Sequence, residues 1–198
     1  MNKIKEIIIG TNNNGKYKEI CDLLPSHIKK YSPKSFNILT PEETGKNYTE
    51  NALIKASYFS KKTNLVCLSD DSGMELDLLN GAPGIYSSRW AGKENNFDLA
   101  IERVFEEIRK IKKDWSNNIA ARFICCLTLF WPNNKSFSST GIINGKISDL
   151  KKGKNGFGYD PIFIPEGYNK TFGEMDFDLK KSIDHRFKAY EKIKNFFT

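Results

Sequence analysis

The sequence has no long apolar run, and this absence excludes a bilayer-spanning helix. None of the uninterrupted apolar stretches in its 198 residues approaches the length that a membrane span needs. Residues 1–5 also lack the apolar segment of a secretory signal. We therefore expect a cytoplasmic protein whose chain is long enough to bury a sizeable core, as one domain over residues 1–198 or as two closely packed lobes.

Cysteine is scarce, and its spacing does not suit metal or disulfide chemistry. Cys21 and Cys67 are isolated, Cys125 and Cys126 are adjacent, and no C-x-x-C pair occurs. Zinc sites and disulfide frameworks both need paired cysteines at defined spacings. The four residues are therefore predicted to be small core residues or half-buried ones.

Acidic residues are outnumbered by basic ones. The chain carries 31 Lys and Arg against 24 Asp and Glu, a net charge of +7. This excess fits a nucleic-acid-binding surface, a cleft for a polyanionic small molecule, or a genomic bias towards lysine and asparagine codons. The densest basic stretches, 110–113 and 151–154, fall short of a nucleic-acid-binding tail. Charge alone leaves the three interpretations open.

Two adjacent carboxylates, Asp70 and Asp71, follow the apolar run of residues 65–68. At the end of a buried strand, neighbouring like charges raise a carboxyl pKa or recruit a cation, and a divalent metal resolves the conflict. The two side chains point to opposite sides of an extended backbone, so one can bind a metal while the other has a second role. A turn is the alternative, because Asp, Ser and Gly are common where strands end.

Alternating strands and helices with one hairpin are predicted, which indicates a mixed α/β sheet. Asn47 and Glu50 have the spacing of a capping box, and Asn64 marks the exit of the helix that they begin. The polar turn 11–15 resembles an anion site with Lys16 beside it, although such turns are also common structural connections. Apolar spacing predicts strands at 4–10, 35–40, 65–69, 120–131, 136–142 and 160–164, and helices at about 16–24, 47–62, 98–112 and 179–197.

Six short motifs occur in an order and at spacings found in one known family. They are Thr11–Lys16, Glu50-Asn51-Ala52 with Lys55-Ala56, Ser69–Gly73, Gly81–Ser87, Gly156–Pro161 and Asp184-His185-Arg186. On these motifs the chain resembles the Ham1/inosine triphosphatase family over about residues 4–197. The resemblance implies an α/β fold with an elongated mixed β-sheet flanked by helices, in two lobes with a nucleotide cleft between them.

The resemblance also implies an activity. Such an enzyme cuts non-standard purine nucleoside triphosphates (ITP, dITP and XTP) between the α and β phosphates, needs Mg²⁺, and removes deaminated purines from the nucleotide pool. A homodimer is implied, with a small nucleotide as the partner and neither nucleic acid nor membrane. A Maf-like enzyme is an alternative, against which His185-Arg186 and 157–160 argue. A nucleotide-binding or nucleic-acid-binding module without chemistry is another, but it has no evident need for the acidic pair.

The resemblance carries particular roles onto residues of this chain. Asp70 would be the general base, although an ordinary aspartate pKa of about 3.9 is low for that task. Glu43 and Asp71 would hold the metal, while a surface loop acid is the alternative for Glu43. The alternative for Phe157 and Tyr159 is that they are core aromatics, and the alternative for Arg89 is that it is a surface residue. The predicted substrate contacts are Thr11, Asn13, Lys16, Lys55, Ser72 and Arg89, with Phe157, Gly158, Tyr159, Asp160, Lys180, His185 and Arg186 towards the base.

Two positions depart from the family's pattern. Asn12 stands where the family has glycine, and because Asn takes a positive φ more readily than other non-glycine residues, we expect the loop to keep its form. Asp184 stands where the family has serine. An acidic acceptor beside the base pocket would change the donor geometry, so we predict a weaker preference against GTP than in relatives.

Overall fold

Six strands form one mixed sheet in the computed structural model, which describes residues 4–92, 94–116 and 118–197. The strands are β1 (Glu6–Ile9), β2 (Lys29–Tyr31), β3 (Val66–Leu76), β4 (Ile119–Phe130), β5 (Ser136–Ile147) and β6 (Phe163–Pro165), in the order β2-β1-β3-β4-β5-β6. The α-helices of the described residues are α1 (Asn14–Leu23), α2 (Tyr48–Thr63), α3 (Ser87–Trp90), α4 (Phe97–Ile111), α5 (Phe177–Ile183) and α6 (His185–Glu191). None of these helices is long and apolar enough to cross a membrane.

Strand β1 is buried on both faces, as its run of isoleucines predicts. Ile7, Ile8 and Ile9 have no exposed surface. The strand pairs in parallel with β2 on one side and β3 on the other, and Gly10 N donates to Leu68 O at 2.8 Å beyond its end. Parallel strands in such an inner position are typically apolar throughout. The antiparallel pairing of β5 with β6 makes the sheet mixed.

Local capping sets the ends of the helices that carry polar motifs. The Asn13 side chain accepts from Lys16 N at the start of α1, and the Asn47 side chain accepts from Glu50 N at the start of α2. Asn64, with a φ of 56°, ends α2 in the left-handed conformation. In α4 the buried positions recur at helical spacing, which confirms the predicted amphipathic helix.

The chain divides into two compact units. Unit 1 takes its described residues from the ranges 1–71, 125–141 and 185–198, and unit 2 from 72–124 and 142–184. The core of unit 1 is built on β1, with Ile20, Leu68 and Leu127 among its buried residues. The core of unit 2 is rich in aromatic side chains, including Phe123, Phe163 and Phe172.

The strand predicted at 35–40 is wrong. Pro33–Phe36 form a 3₁₀-helix that ends at Asn37, which has a positive φ of 54°. Proline favours a helical first turn, and the edge strand β2 comes before it. Leu39, an apolar residue of the predicted strand, is 81% exposed.

Two predictions near the C-terminus need correction. The strand expected at 160–164 begins only at Phe163, because Asp160–Ile162 form a 3₁₀-helix with proline near its start. The single helix expected at 179–197 is broken at Asp184, whose ψ of 170° lies outside the helical range. Helical spacing gives no sign of this break, since aspartate also occurs inside helices.

Candidate active site

Asp70 and Asp71 lie inside strand β3 and not in a turn at its end. The strand continues for five residues beyond Asp71, so the turn interpretation is wrong. Asp70 has no exposed surface, and Asp71 is 4% exposed. Their contacts separate as the alternation of an extended backbone requires: Asp70 contacts Lys16 and Arg186, whereas Asp71 contacts Asn51 and Lys55.

Asp70 is held between two cations. Its Oδ2 atom lies 3.2 Å from Lys16 Nζ and 3.2 Å from Arg186 Nη2. Burial raises the pKa of a carboxyl, but the charges around Asp70, with Lys16 foremost, hold its pKa far below the ordinary value. Asp70 is therefore an ionised carboxylate at neutral pH.

Arg186 connects Asp70 to a second buried acid, Glu19 on helix α1. The guanidinium is 1% exposed, and it makes a charged hydrogen bond to Glu19 Oε2 through Nη1 while Nη2 faces Asp70. Glu19 comes three residues after Lys16, so the two side chains share one face of α1. Helix α1 thus supplies the cation Lys16, which pairs with Asp70, and the anion Glu19, which pairs with Arg186.

Asp71 faces Lys55, and Lys55 also binds Glu43. Lys55 Nζ lies 3.8 Å from Asp71 Oδ1 and makes a closer ion pair with Glu43 Oε1. Burial raises the pKa of Asp71 above its ordinary value, and Lys55 offsets only part of that rise. The pKa values of two adjacent aspartates therefore move in opposite directions, which is typical of sites where neighbouring carboxyls have different tasks.

These residues form one group, which we call the carboxylate cluster. Four acids, all in unit 1, face three cations. Among the ion pairs of the described residues the acids outnumber the cations, which favours a further positive charge at this group. The members are Glu19, Glu43, Asp70 and Asp71, with Lys16, Lys55 and Arg186.

The cluster fits a hard divalent cation. Glu43 and Asp71 already converge on one positive charge, the ammonium of Lys55. In the described residues there is no group of three or more His, Cys, Asp and Glu side chains that could hold a metal. Mg²⁺ needs no such group, because it typically takes one or two carboxylates and completes its shell with phosphate oxygens and water.

The loop before α1 has the form of an anion site. Thr11 Oγ1 accepts from Asn13 N at 3.2 Å, and Asn13 caps the helix whose N-terminus faces the loop. Asn12 is not among the non-glycine residues of the described chain with a positive φ. Position 12 therefore does not use the positive φ that asparagine tolerates. Asn12 instead donates from Nδ2 to Thr40 Oγ1 at 2.7 Å.

A second group, here called the Asp160 cluster, lies in unit 2 and contains Phe157, Asp160 and Lys180. Asp160 Oδ2 accepts from Lys180 Nζ at 2.6 Å and from Phe157 N at 2.8 Å. Lys180 Nζ also lies 5.2 Å from the centre of the Phe157 ring. A Cβ at Gly156, where φ is 74°, would collide with Asp160. The carboxylate thus shapes the loop and holds the lysine.

The other predicted substrate contacts of unit 2 lie outside the Asp160 cluster as defined here. Tyr159 is a core residue whose hydroxyl donates to Ser87 O at 3.0 Å, and Gly158 has a positive φ of 68°. Arg89 is exposed, with its guanidinium 4.8 Å from the Tyr86 ring centre. Ser72 is half-buried on β3. In unit 1, His185 is buried and opens helix α6.

Two residues of the site were missed by sequence reasoning. Glu19 is an apparently ordinary helix acid, and its spacing from Lys16 was the signal that could have found it. Asn51 was recorded only as part of a motif, yet it has no exposed surface and donates to Asp71 Oδ2 at 3.0 Å. A polar residue within the buried face of an amphipathic helix was the available sign.

Comparison with known proteins gives consistent matches over nearly the whole chain. A model described as Ham1 family matches residues 7–196. Proteins named dITP/XTP pyrophosphatase match from Rhodospirillum centenum, 39% identical over 94% of this chain and 92% of that protein, and from Oceanobacillus iheyensis, 40% identical over 96% of both. The solved structure of a HAM1 protein from Coxiella burnetii is 36% identical, with a TM-score of 0.86 over 97% of this chain and 98% of that one.

Proposed function

The chain belongs to the Ham1 family, and from this membership we propose that it hydrolyses ITP, dITP and XTP to the monophosphate and pyrophosphate. Its task would be to remove deaminated purines from the nucleotide pool. The observation that carries the proposal is the carboxylate cluster, in which four buried or half-buried acids face three cations. Burying so many charges is costly, and a protein that only binds nucleotides has no evident need for the acids.

The phosphates are assigned to the loop before α1 and to the lysines of the carboxylate cluster. Lys16 and Lys55 now pair with carboxylates, and each would turn towards phosphate oxygens when a triphosphate binds. Thr11 and Asn13 lie at the N-terminus of α1, where backbone N–H groups favour an anion. A polyphosphate with several negative charges suits lysines that are already close together.

Asp70 is assigned as the general base. Its paired state makes it a weak base before the nucleotide arrives, since Lys16 and Arg186 stabilise the ionised form. When Lys16 moves to a phosphate, Asp70 loses one of its two closest cations and becomes a stronger base. The carboxylate would then take a proton from the water whose oxygen bonds to phosphorus as the α–β phosphoanhydride bond breaks.

Glu43 and Asp71 are assigned as the protein ligands of Mg²⁺. Nucleotide pyrophosphatases typically use a divalent metal, and the two carboxylates already share one cation in this structure. Bound there, Mg²⁺ would supply positive charge opposite the developing charge on the phosphate oxygens. Lys55 would be released from both acids and become free to bind phosphate.

The residues assigned to the base are those carried over from the resemblance. Phe157 offers a face for stacking, and the Lys180 ammonium, which binds Asp160 in this structure, is a donor. A 6-oxo purine presents an acceptor where adenine presents a donor, so cationic donors would reject ATP. His185 and Arg186 complete the assignment, although Arg186 also contacts Asp70. Tyr159 and Gly158 would contribute by shaping the loop, and Ser72 and Arg89 by contacting the substrate.

A homodimer and a cytoplasmic location complete the proposal. All four cysteines are free thiols, which fits a reducing compartment. Light scattering on the purified protein tests the dimer, for which a monomer at micromolar concentration would be the contrary result.

One assay tests the activity. Pyrophosphate release is measured from ITP, dITP, XTP, GTP and ATP, each with Mg²⁺ and with EDTA. We expect Mg²⁺-dependent release from the first three and little from ATP. No release from any of them, together with salt-sensitive binding of an oligonucleotide, would instead support a nucleic-acid-binding module.

A further inference from the structure

Asn51 is a buried polar residue to which the proposed reaction gives no task. It lies in the first turn of helix α2, directly after Glu50, and has no exposed surface. A buried amide is costly unless both its oxygen and its nitrogen find partners. Both do here, and each partner belongs to a segment that carries one of the two carboxylates assigned to the metal.

The amide of Asn51 joins the Glu43 loop to strand β3. Its Nδ2 donates to Asp71 Oδ2 at 3.0 Å, and its Oδ1 accepts from Gly45 N at 2.8 Å. Gly45 follows Glu43 by two residues, so the second hydrogen bond restrains the loop close to that acid. The hydrogen bond to Asp71 uses Oδ2, so Asp71 Oδ1 faces Lys55, the cation that Glu43 also binds.

The fit around this amide is close. A Cβ at position 45 would lie 2.6 Å from Asn51 Oδ1 and 2.9 Å from Asn51 N, which real Cβ atoms do not tolerate. Gly45 therefore lets the backbone of the loop come within hydrogen-bond distance of the amide. Two residues, Gly45 and Asn51, maintain the contact from opposite sides.

We propose that Asn51 is a positioning residue for the metal site, setting the distance and orientation of Glu43 and Asp71 by hydrogen bonds to the Gly45 backbone and to Asp71 Oδ2. The inference rests on the assignment of those acids to Mg²⁺ under the proposed function. Hydrogen-bond partners of metal-binding carboxylates commonly change metal affinity by about 10- to 100-fold when they are removed.

The test compares Asn51→Ala with Asn47→Ala. Both remove an asparagine from the start of α2, but Asn47 caps the helix through Glu50 N and contacts neither carboxylate. Mn²⁺ binding is measured by electron paramagnetic resonance without nucleotide, and unfolding is followed by circular dichroism. We expect the Kd for Mn²⁺ to rise about tenfold or more in Asn51→Ala and to stay at the wild-type value in Asn47→Ala.

A second variant covers the case in which Asn51→Ala does not fold. Gly45→Ala keeps the amide but forces it away from the loop, and it is expected to weaken Mn²⁺ binding in the same direction. Unchanged Mn²⁺ affinity in the folded variants overturns the inference, as does an equal loss in Asn47→Ala. A wild-type protein that binds no Mn²⁺ at millimolar concentration overturns the metal assignment and the inference with it.

The activity assay keeps the two failures apart. If the wild type binds Mn²⁺ but releases no pyrophosphate from ITP, the proposed function fails while the comparison of variants still decides the role of Asn51. If the wild type is active, the Mg²⁺ concentration that gives half-maximal rate should rise in Asn51→Ala and not in Asn47→Ala.

Discussion

The carboxylate cluster of unit 1 and the Asp160 cluster of unit 2 use buried charge in different ways. In the Asp160 cluster one acid meets one lysine at 2.6 Å, and the same carboxylate oxygen accepts a backbone N–H. In the carboxylate cluster four acids share three cations: Asp70 and Asp71 lie 3.2 to 3.8 Å from theirs, and Glu19 and Glu43 make closer pairs. Among the ion pairs of the described residues, the first arrangement has one acid for one cation, whereas the second has more acids than cations.

This difference distinguishes a framework from a reaction centre. A buried pair of one acid with one cation resists exchange, because removing either partner leaves a buried charge without compensation. An unbalanced group gains stability when a cation and a polyphosphate arrive, so its pairs are the ones that ligands replace. We therefore expect substitutions in the carboxylate cluster to change rates and ligand affinities, and substitutions in the Asp160 cluster to change stability first.

The largest expected effect is on turnover, in Asp70→Asn. The amide keeps the shape of the side chain but cannot accept a proton, so kcat for ITP should fall by about 10²- to 10⁴-fold. Circular dichroism should show a folded protein. A kcat close to that of the wild type would rule out Asp70 as the base and move the proton acceptor elsewhere.

The next effect is on stability, in Lys180→Met compared with Lys16→Met. Lys180 and Asp160 side chains are 5% and 4% exposed, so losing the lysine should cost about 3–5 kcal/mol in urea unfolding. Lys16→Met should cost much less, because Lys16 is 17% exposed and Asp70 retains Arg186. If the two variants lost equal stability, the distinction between the clusters would be wrong.

A smaller effect is expected in Glu19→Gln. The amide oxygen still accepts from Arg186, but the guanidinium charge is no longer shared and acts more strongly on Asp70. A weaker base should lower kcat by about tenfold while KM changes little. Asp22→Asn, an exposed acid on the same helix, is the matched control. Equal effects in the two variants would show that only the overall charge of α1 matters.

The smallest effect is expected in Asp184→Ser, at the residue between α5 and α6. Asp184 is buried, so its charge acts on neighbouring groups with little screening from water. Replacing it should raise the ratio of kcat/KM for ITP over GTP by about fivefold, close to 1 kcal/mol. An unchanged ratio would mean that residues of the two clusters, and not Asp184, determine the selectivity for ITP over GTP.

Local signals in the sequence predicted most of the fold. Asn47 and Asn64 bound α2 as expected, and the isoleucines of β1 are buried as expected. The errors lie where single residues decide the backbone conformation. Asp184 breaks a helix through its backbone angle, and a 3₁₀-helix that begins at Pro33 and ends at Asn37 replaces the first part of the strand predicted at 35–40.

The candidate site was predictable in type more than in detail. Asp70 and Asp71 were identified from their adjacency, and the structure adds that their pKa values shift in opposite directions. The low pKa of Asp70 depends on Lys16 and on Arg186, and Arg186 lies 116 residues further along the chain. Charge balance in a buried group depends on such distant partners, so no local pattern reveals it. Glu19 and Asn51 differ, because each had a local sign: the spacing of Glu19 from Lys16, and the position of Asn51 on the buried face of α2.

The edges of the sheet have a consequence for how copies of this chain meet in concentrated solution. Strand β2 has only three residues and begins with Lys29 and Lys30, while β6 also has three residues and ends at Pro165. Short edges with lysine, or with a proline that lacks an N–H group, are poor templates for a further strand. Self-association is therefore expected to proceed through side-chain contacts, and growth into fibrils by strand addition is disfavoured at both edges.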